Sequence, residues 1–140
     1  MGRSRGGLST KIHLATNEKG LPVRAQLTSG KTADIKEAKS LIRGLKAKAL
    51  LADKGYTSKA FRRHLQRRRM KVVIPPKSNA KHPHKHSKYL YKQRNRIERC
   101  FNRLKHFRRL ATRFDRNDAH YKATLILAAI ALWLKVLYVD

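Results

Sequence analysis

Two acidic residues draw attention because the chain around them is strongly basic. Asp53 ends the apolar run KALLAD and is followed by KGY, and Glu98 is the only acid between Tyr91 and Leu110. Mg²⁺ takes oxygen ligands from one or two carboxylates plus substrate phosphates, and lysine and arginine hold phosphates. The pattern therefore predicts a hard-cation site beside a phosphate-binding surface.

The position of Asp53 in the chain supports a ligand site. KALLAD predicts a short buried strand, and in open α/β sheets ligands bind at the carboxyl ends of strands. Asp53 could instead cap the helix that follows it, although Ser58 already fills that role.

Glu98 lies in a segment that predicts an amphipathic helix. With ~100° per residue, five residues form the arc that should face the core: Ile97, Cys100, Phe101, Leu104 and Phe107. Glu98 falls beside that arc, on the same edge as Tyr91, Arg94 and Lys105, where a carboxylate can be half-buried and aimed into a cleft. The alternative is a simple i−4 pair with Arg94, worth a few tenths of a kcal/mol.

The composition limits the partners. The 140 residues include 35 Lys and Arg against 8 Asp and Glu, a formal charge of +27, so the chain attracts polyanions. Hydrophobic residues make up 41% and recur periodically, which excludes a disordered basic tail. ATLILAAIALWL is shorter than the ~20 residues of a membrane span, and the start lacks an apolar signal region. A cytoplasmic protein with nucleic acid and not a membrane as its partner is expected.

The pattern of apolar residues predicts an α/β fold with a mixed sheet in one domain, residues 1–140. The predicted elements are a hairpin over 10–30, a helix over 33–45, a strand over 48–53, a helix over 58–69, a strand over 71–76, a loop over 77–88, and helices over 92–113 and 118–137. Asp34 and Glu37 form a predicted capping box, and the last helix is expected to be mostly buried, with Trp133 in the core.

Two other groups of residues favour structural interpretations. His82 to His86 could bind a transition metal, but Pro83 and the flanking lysines favour a solvated loop near DNA. The single Cys100 excludes a disulfide framework and is expected to be inert core.

The spacing Tyr91-x2-Arg94-x3-Glu98-x6-Lys105 resembles the Y-R-E-K signature of DDE-type insertion-sequence transposases. LLADKGYTSKAFRRHL and VVIPPKSN also resemble the C-terminal half of the group named after insertion sequence five. The resemblance covers nearly the whole chain.

The resemblance implies a ribonuclease H-like mixed sheet with flanking helices, and DNA cleavage and strand transfer with Mg²⁺ or Mn²⁺. Asp53 and Glu98 would be the second and third catalytic, metal-binding acids, and Tyr91, Arg94 and Lys105 would contact DNA. Further DNA contacts are expected from four basic residues of the same segment: Arg96, Arg103, Arg108 and Arg109.

The chain departs from the family pattern in one respect. The family's first Asp ends a first, central strand, and none of Glu18, Asp34 and Glu37 lies in such a position. We therefore expect a downstream transposase fragment that is inactive alone, needs an upstream segment or frame, and acts as a homo-oligomer on element ends and target DNA in the bacterial nucleoid. The alternatives are a non-catalytic basic nucleic-acid-binding protein and a decayed remnant.

Overall fold

The structure, a computed structural model, describes residues 2–4 and 7–138, with side chains described for residues 9–138. The chain is α/β in class, as predicted, but the described residues form two small sheets, one antiparallel and one parallel, and not the predicted mixed sheet. It forms two compact units: Met1–Lys31 joins Asn95–Asp140 in the first, and Thr32–Arg94 forms the second. We call them the hairpin unit and the βαβ unit.

The hairpin unit begins with three antiparallel strands. They are β1 (Gly2–Ser4), β2 (Gly7–Thr16) and β3 (Pro22–Ser29), in the order β1-β2-β3. The β2–β3 hairpin was predicted, and its register pairs Ile12 with Leu27 and Leu14 with Ala25. Alternation with period two turns these apolar side chains to one face of the hairpin.

Helices of the same unit cover that face. They are α4 (Asn95–Lys105), α5 (Arg108–Ala111) and α6 (Asp118–Tyr138). The buried core that they form with the hairpin comprises Leu14, Leu21, Cys100, Leu104, Leu110, Tyr121, Leu125, Ala128 and Leu132. Cys100 is therefore core, as expected, and burial raises the pKa of its thiol.

Helix α6 differs from its prediction. It has 21 residues, long and apolar enough to cross a membrane by length and composition, so the length argument against a span was wrong. One such helix is weak evidence for a membrane, because core helices pass the same test. The expectation that α6 is mostly buried was also wrong, since Leu127 and Leu137 are each 67% exposed. Trp133 is exposed and not in the core as expected, and it donates a hydrogen bond from Nε1 to the Pro22 carbonyl at 2.8 Å.

The βαβ unit consists of α1 (Asp34–Leu41), β4 (Ala49–Leu51), α2 (Lys59–Arg67), β5 (Lys71–Val73) and α3 (Lys88–Lys92). Strands β4 and β5 are parallel, and α2 connects them. The buried core of the βαβ unit comprises Ala38, Ile42, Phe61, Leu65, Met70 and Ile74. Arg68, the C-cap residue of α2, donates to the carbonyls of Ile42 (3.0 Å) and Leu45 and so links the end of α2 to the segment after α1.

Three local predictions need correction. The predicted long helix over 92–113 is divided between α4 and α5, because the chain leaves helical geometry at Phe107 (φ −80°, ψ 103°), and Lys92 is instead the last residue of α3. The capping box is wrong: Ala33 is the N-cap of α1 and makes no side-chain cap bond. The strand β4 is half-buried and not fully buried.

Candidate functional site

Asp53 follows β4 by two residues and is half-buried. Its Oδ1 accepts a hydrogen bond from the Gly55 amide at 2.9 Å and caps the 3₁₀ helix Lys54–Tyr56. Ser58 caps α2 by accepting from the Phe61 amide at 3.2 Å. Asp53 and Ser58 are thus both N-caps, Asp53 of the 3₁₀ helix and Ser58 of α2. The hydrogen bond from Gly55 holds the Asp53 carboxylate near the end of the strand.

A second carboxylate, from Asp34, lies beside Asp53. A Cβ placed on Gly55 would lie 3.0 Å from Asp53 Oδ1 and 3.1 Å from Asp34 Oδ2. The two acids therefore converge on a small space that only glycine leaves open. We call Asp34, Asp53 and Gly55 the carboxylate cradle. Asp34 was predicted to cap a helix, and its place in this cradle was not predicted.

The carboxylates of the cradle affect the pKa of Tyr56. Burial, followed by the negative charges of Asp34 and Asp53, raises the pKa of its phenol to about 12. The phenol therefore stays protonated at neutral pH, beside two carboxylates.

The cradle fits a hard divalent cation, because converging carboxylate oxygens are the ligands that Mg²⁺ prefers. Among the residues that the structure describes, no group of three His, Cys, Asp or Glu side chains could hold a metal ion. A cation held here would thus need further ligands from water, phosphate or another carboxylate.

Glu98 belongs to the hairpin unit and lies in the first turn of α4. The predicted apolar arc is confirmed: Cys100 and Leu104 are buried, and Ile97, Phe101 and Phe107 pack against the same core. Glu98 is exposed and not half-buried as expected. The shared helical edge with Tyr91 and Arg94 was also wrong, because the helix that carries Glu98 begins at Asn95.

Tyr91 and Arg94 belong to the βαβ unit, at the end of α3 and just beyond it. The Arg94 guanidinium lies 5.6 Å from the centroid of the Tyr91 ring, a cation–π distance. The His86 ring meets the same tyrosine edge-on at 5.6 Å. His84 Nε2 lies 2.7 Å from the Ile74 carbonyl oxygen. Two histidines of the predicted loop over 77–88 therefore contact other parts of the βαβ unit.

The other basic candidates lie in the hairpin unit. Lys105, Arg103 and Arg108 are exposed. Arg96 donates to the backbone carbonyl of Glu18. Arg109 donates to Asp115 at 2.7 Å and lies over the Phe114 ring, so it also serves structure.

The carboxylate cradle could bind a hard cation, and the arginines of α4 could bind a polyanion. Residues 2–88 match the protein family described as "Transposase DDE domain", and residues 50–135 match a second family of the same description. The chain belongs to the DDE-type insertion-sequence transposases, which act on DNA as transposition enzymes.

Two relatives carry names of that kind. "Putative transposase for insertion sequence element IS6501" of Brucella ovis is 32% identical over 134 residues, which cover 91% of this chain and 100% of the relative. "Putative transposase for insertion sequence element IS402" of Burkholderia cepacia is 36% identical over 131 residues, covering 84% of this chain and 59% of the relative. No solved structure matches the chain.

Proposed function

We propose that this chain supplies two catalytic carboxylates, Asp53 and Glu98, to DNA cleavage and strand transfer by an insertion-sequence transposase. The observation that carries the proposal is the carboxylate cradle, where Asp53, two residues beyond a parallel strand, and Asp34 both lie beside Gly55. Both family matches include Asp53, and the second also includes Glu98.

The proposed fold is ribonuclease H-like, in one catalytic domain with β4 and β5 as parallel strands of its sheet. A third carboxylate, on the first and central strand, would come from an upstream segment. This supplement is proposed because the described residues offer no three-ligand group. The proposed active complex is a homo-oligomer on DNA in the cytoplasm, and without the supplement the chain is inactive.

The reaction is phosphoryl transfer, in which an attacking oxygen bonds to phosphorus while the bond to the 3′ oxygen breaks and that oxygen takes up a proton. Mg²⁺ or Mn²⁺, when bound, would acidify the attacking water or hydroxyl and stabilise the leaving oxygen. Asp53 and Glu98 would each serve as a metal-binding acid. Tyr91, Arg94 and Lys105 would position the DNA, and arginines neutralise its phosphates.

Cation binding by the cradle tests the metal part of the proposal without catalysis. Mn²⁺ binding is titrated for the parent chain and for Asp53→Asn, with electron paramagnetic resonance as the readout. The Asn side chain retains an oxygen that can cap the 3₁₀ turn. Glu37→Gln is the matched control, because it removes one negative charge from the same unit at a side chain bonded to Ser40. Asp53→Asn should weaken Mn²⁺ binding and Glu37→Gln should not; equal effects would contradict the assignment.

DNA binding tests the other part. Affinity for duplex DNA should fall steeply with salt, with a slope of roughly −0.9 per neutralised phosphate. A slope near zero would remove any nucleic-acid role. DNA binding without cleavage, even with the upstream segment present, would favour the non-catalytic nucleic-acid-binding alternative.

A further inference from the structure

A cationic pocket in the hairpin unit lies outside the set of proposed catalytic residues. It is open, with a volume of about 370 Å³, and is lined by Glu18, Lys19, Arg96, Arg99 and Arg103. The first two residues come from the β2–β3 turn and the others from α4. We call it the turn–helix pocket.

The turn side of the pocket is held by its own hydrogen bonds. Asn17 Oδ1 accepts from the amides of Lys19 and Leu21, both at 3.0 Å. Leu21 is 1% exposed and anchors the turn in the core. Lys19 therefore projects from a fixed backbone, which reduces the ordering cost of ligand binding.

The turn is also fixed against α4. The Arg96 guanidinium donates to the Glu18 carbonyl. Gly20, at φ +74°, approaches so closely that a Cβ there would lie 3.1 Å from the Arg96 carbonyl oxygen. The first of these contacts uses the Arg96 guanidinium, which lines the pocket together with Lys19, Arg99 and Arg103.

The charges of the pocket favour an anion. Arg99 and Arg103 are one helical turn apart, where like charges repel, and both are exposed. Arg109–Asp115 and Arg113–Asp118 pair other arginines of this unit, whereas within the described part of the chain Arg99 and Arg103 form no ion pair. Four cations face one carboxylate, that of Glu18.

We propose that the turn–helix pocket binds one phosphodiester group of DNA. Guanidinium groups match phosphate oxygens with paired donors, and the open pocket admits a group that remains part of a chain. The inference rests on the proposed function, since it takes DNA as the partner, and it adds a phosphate contact that the catalytic residues do not make. The negative charge of the exposed Glu18 side chain would oppose the phosphate.

The first experiment measures binding of a short labelled duplex by fluorescence anisotropy over a series of salt concentrations. Arg99→Ala with Arg103→Ala should weaken binding on the order of tenfold, as expected for losing a charged hydrogen-bonded contact. Because both arginines serve one phosphate, the salt slope should fall by about 0.9 and not by twice that. Arg63→Ala with Arg67→Ala, two exposed arginines of α2, removes the same charge and should have a smaller effect.

A second pair of variants raises the charge instead. Glu18→Gln should strengthen DNA binding, and it should leave the turn intact because Arg96 contacts the Glu18 backbone. Glu37→Gln raises the net charge equally and should change binding less. If circular dichroism shows that the double variant Arg99→Ala with Arg103→Ala is unfolded, Lys19→Ala is used in its place. The same loss of one phosphate contact is expected for it.

The outcomes separate the two proposals. If each pocket variant binds DNA with the same affinity as its control variant, the turn–helix pocket does not bind a DNA phosphate, and the proposed function still stands. No DNA binding by the parent chain would overturn both. Inorganic phosphate that competes as well as duplex DNA, at equal phosphate concentration, would show a free-anion site and overturn the assignment to DNA.

Discussion

Replacing Gly20 by alanine should destabilise the hairpin unit more than its backbone conformation alone requires. The left-handed conformation at φ +74° costs a residue with a Cβ about 1 to 2 kcal/mol. The new Cβ would also lie 3.1 Å from the Arg96 carbonyl oxygen, and relieving such overpacking costs about 1 kcal/mol or more. We therefore expect a total loss of about 2 to 4 kcal/mol from these two causes.

Gly44 is the matched control for this substitution. It has nearly the same conformation, φ +73°, but nothing lies within 4 Å of its Cβ position. Gly44→Ala should thus cost only the conformational part, about 1 to 2 kcal/mol. The difference between the two substitutions isolates the contact between the turn and α4.

Denaturant unfolding provides the measurement. Fluorescence of Trp133, the single tryptophan, follows the hairpin unit, and amide hydrogen exchange at α1 and β4 follows the βαβ unit. Gly20→Ala should also weaken DNA binding, because Lys19 precedes it in the turn. Equal losses of stability for the two substitutions would refute the close approach of the turn to Arg96.

Three further predictions concern single side chains. The pKa of Asp115 is lowered chiefly by its hydrogen bond from Arg109, so its carboxylate should stabilise the hairpin unit fully above the ordinary Asp pKa of about 3.9. The stability advantage over Asp115→Asn should shrink as the pH falls through the lower folded-state pKa. Denaturant unfolding at several pH values can check this. Trp133→Phe should cost about 1 kcal/mol by leaving the Pro22 carbonyl without its donor, measured by circular dichroism during urea unfolding. Asp34→Asn should lower the pKa of Tyr56 from about 12 by removing a nearby negative charge, and a phenol titration unchanged by this substitution would contradict the cradle.

The sequence predicted the elements whose signals are local. Ile12 and Leu14 pair with Leu27 and Ala25 in the hairpin because alternation and a turn of four residues suffice to specify it. Ser58 caps α2 for the same reason. The apolar arc of α4 was predicted because its helical period is unambiguous.

The breaks between helices could not be predicted in this way. The chain leaves helical geometry at Phe107 without a proline or glycine in the neighbouring sequence, so no local residue signals the break. Helix α2 is followed by Arg69 in the left-handed region, at φ 56°, where the usual signal is glycine. Tertiary packing decides such positions.

The candidate site was predicted only in part. Asp53 at a strand end was predicted from the apolar run before it, but Asp34 lies 19 positions earlier and reaches Gly55 only through the packing of α1. Gly55, in DKG, was the one available signal. The Lys19 side of the turn–helix pocket likewise depends on the contact between Glu18 and Arg96, which are 78 positions apart.

Strand cleavage with the proposed upstream transposase segment added tests the central claim most directly. DNA carrying the element's ends should be nicked in Mg²⁺ or Mn²⁺ by the combined protein and not by the chain alone. Asp53→Asn and Glu98→Gln should each abolish nicking, whereas Glu37→Gln should retain it and all three should still bind DNA. Undiminished nicking by the Asp53→Asn or Glu98→Gln protein would show that the active site has been assigned to the wrong residues.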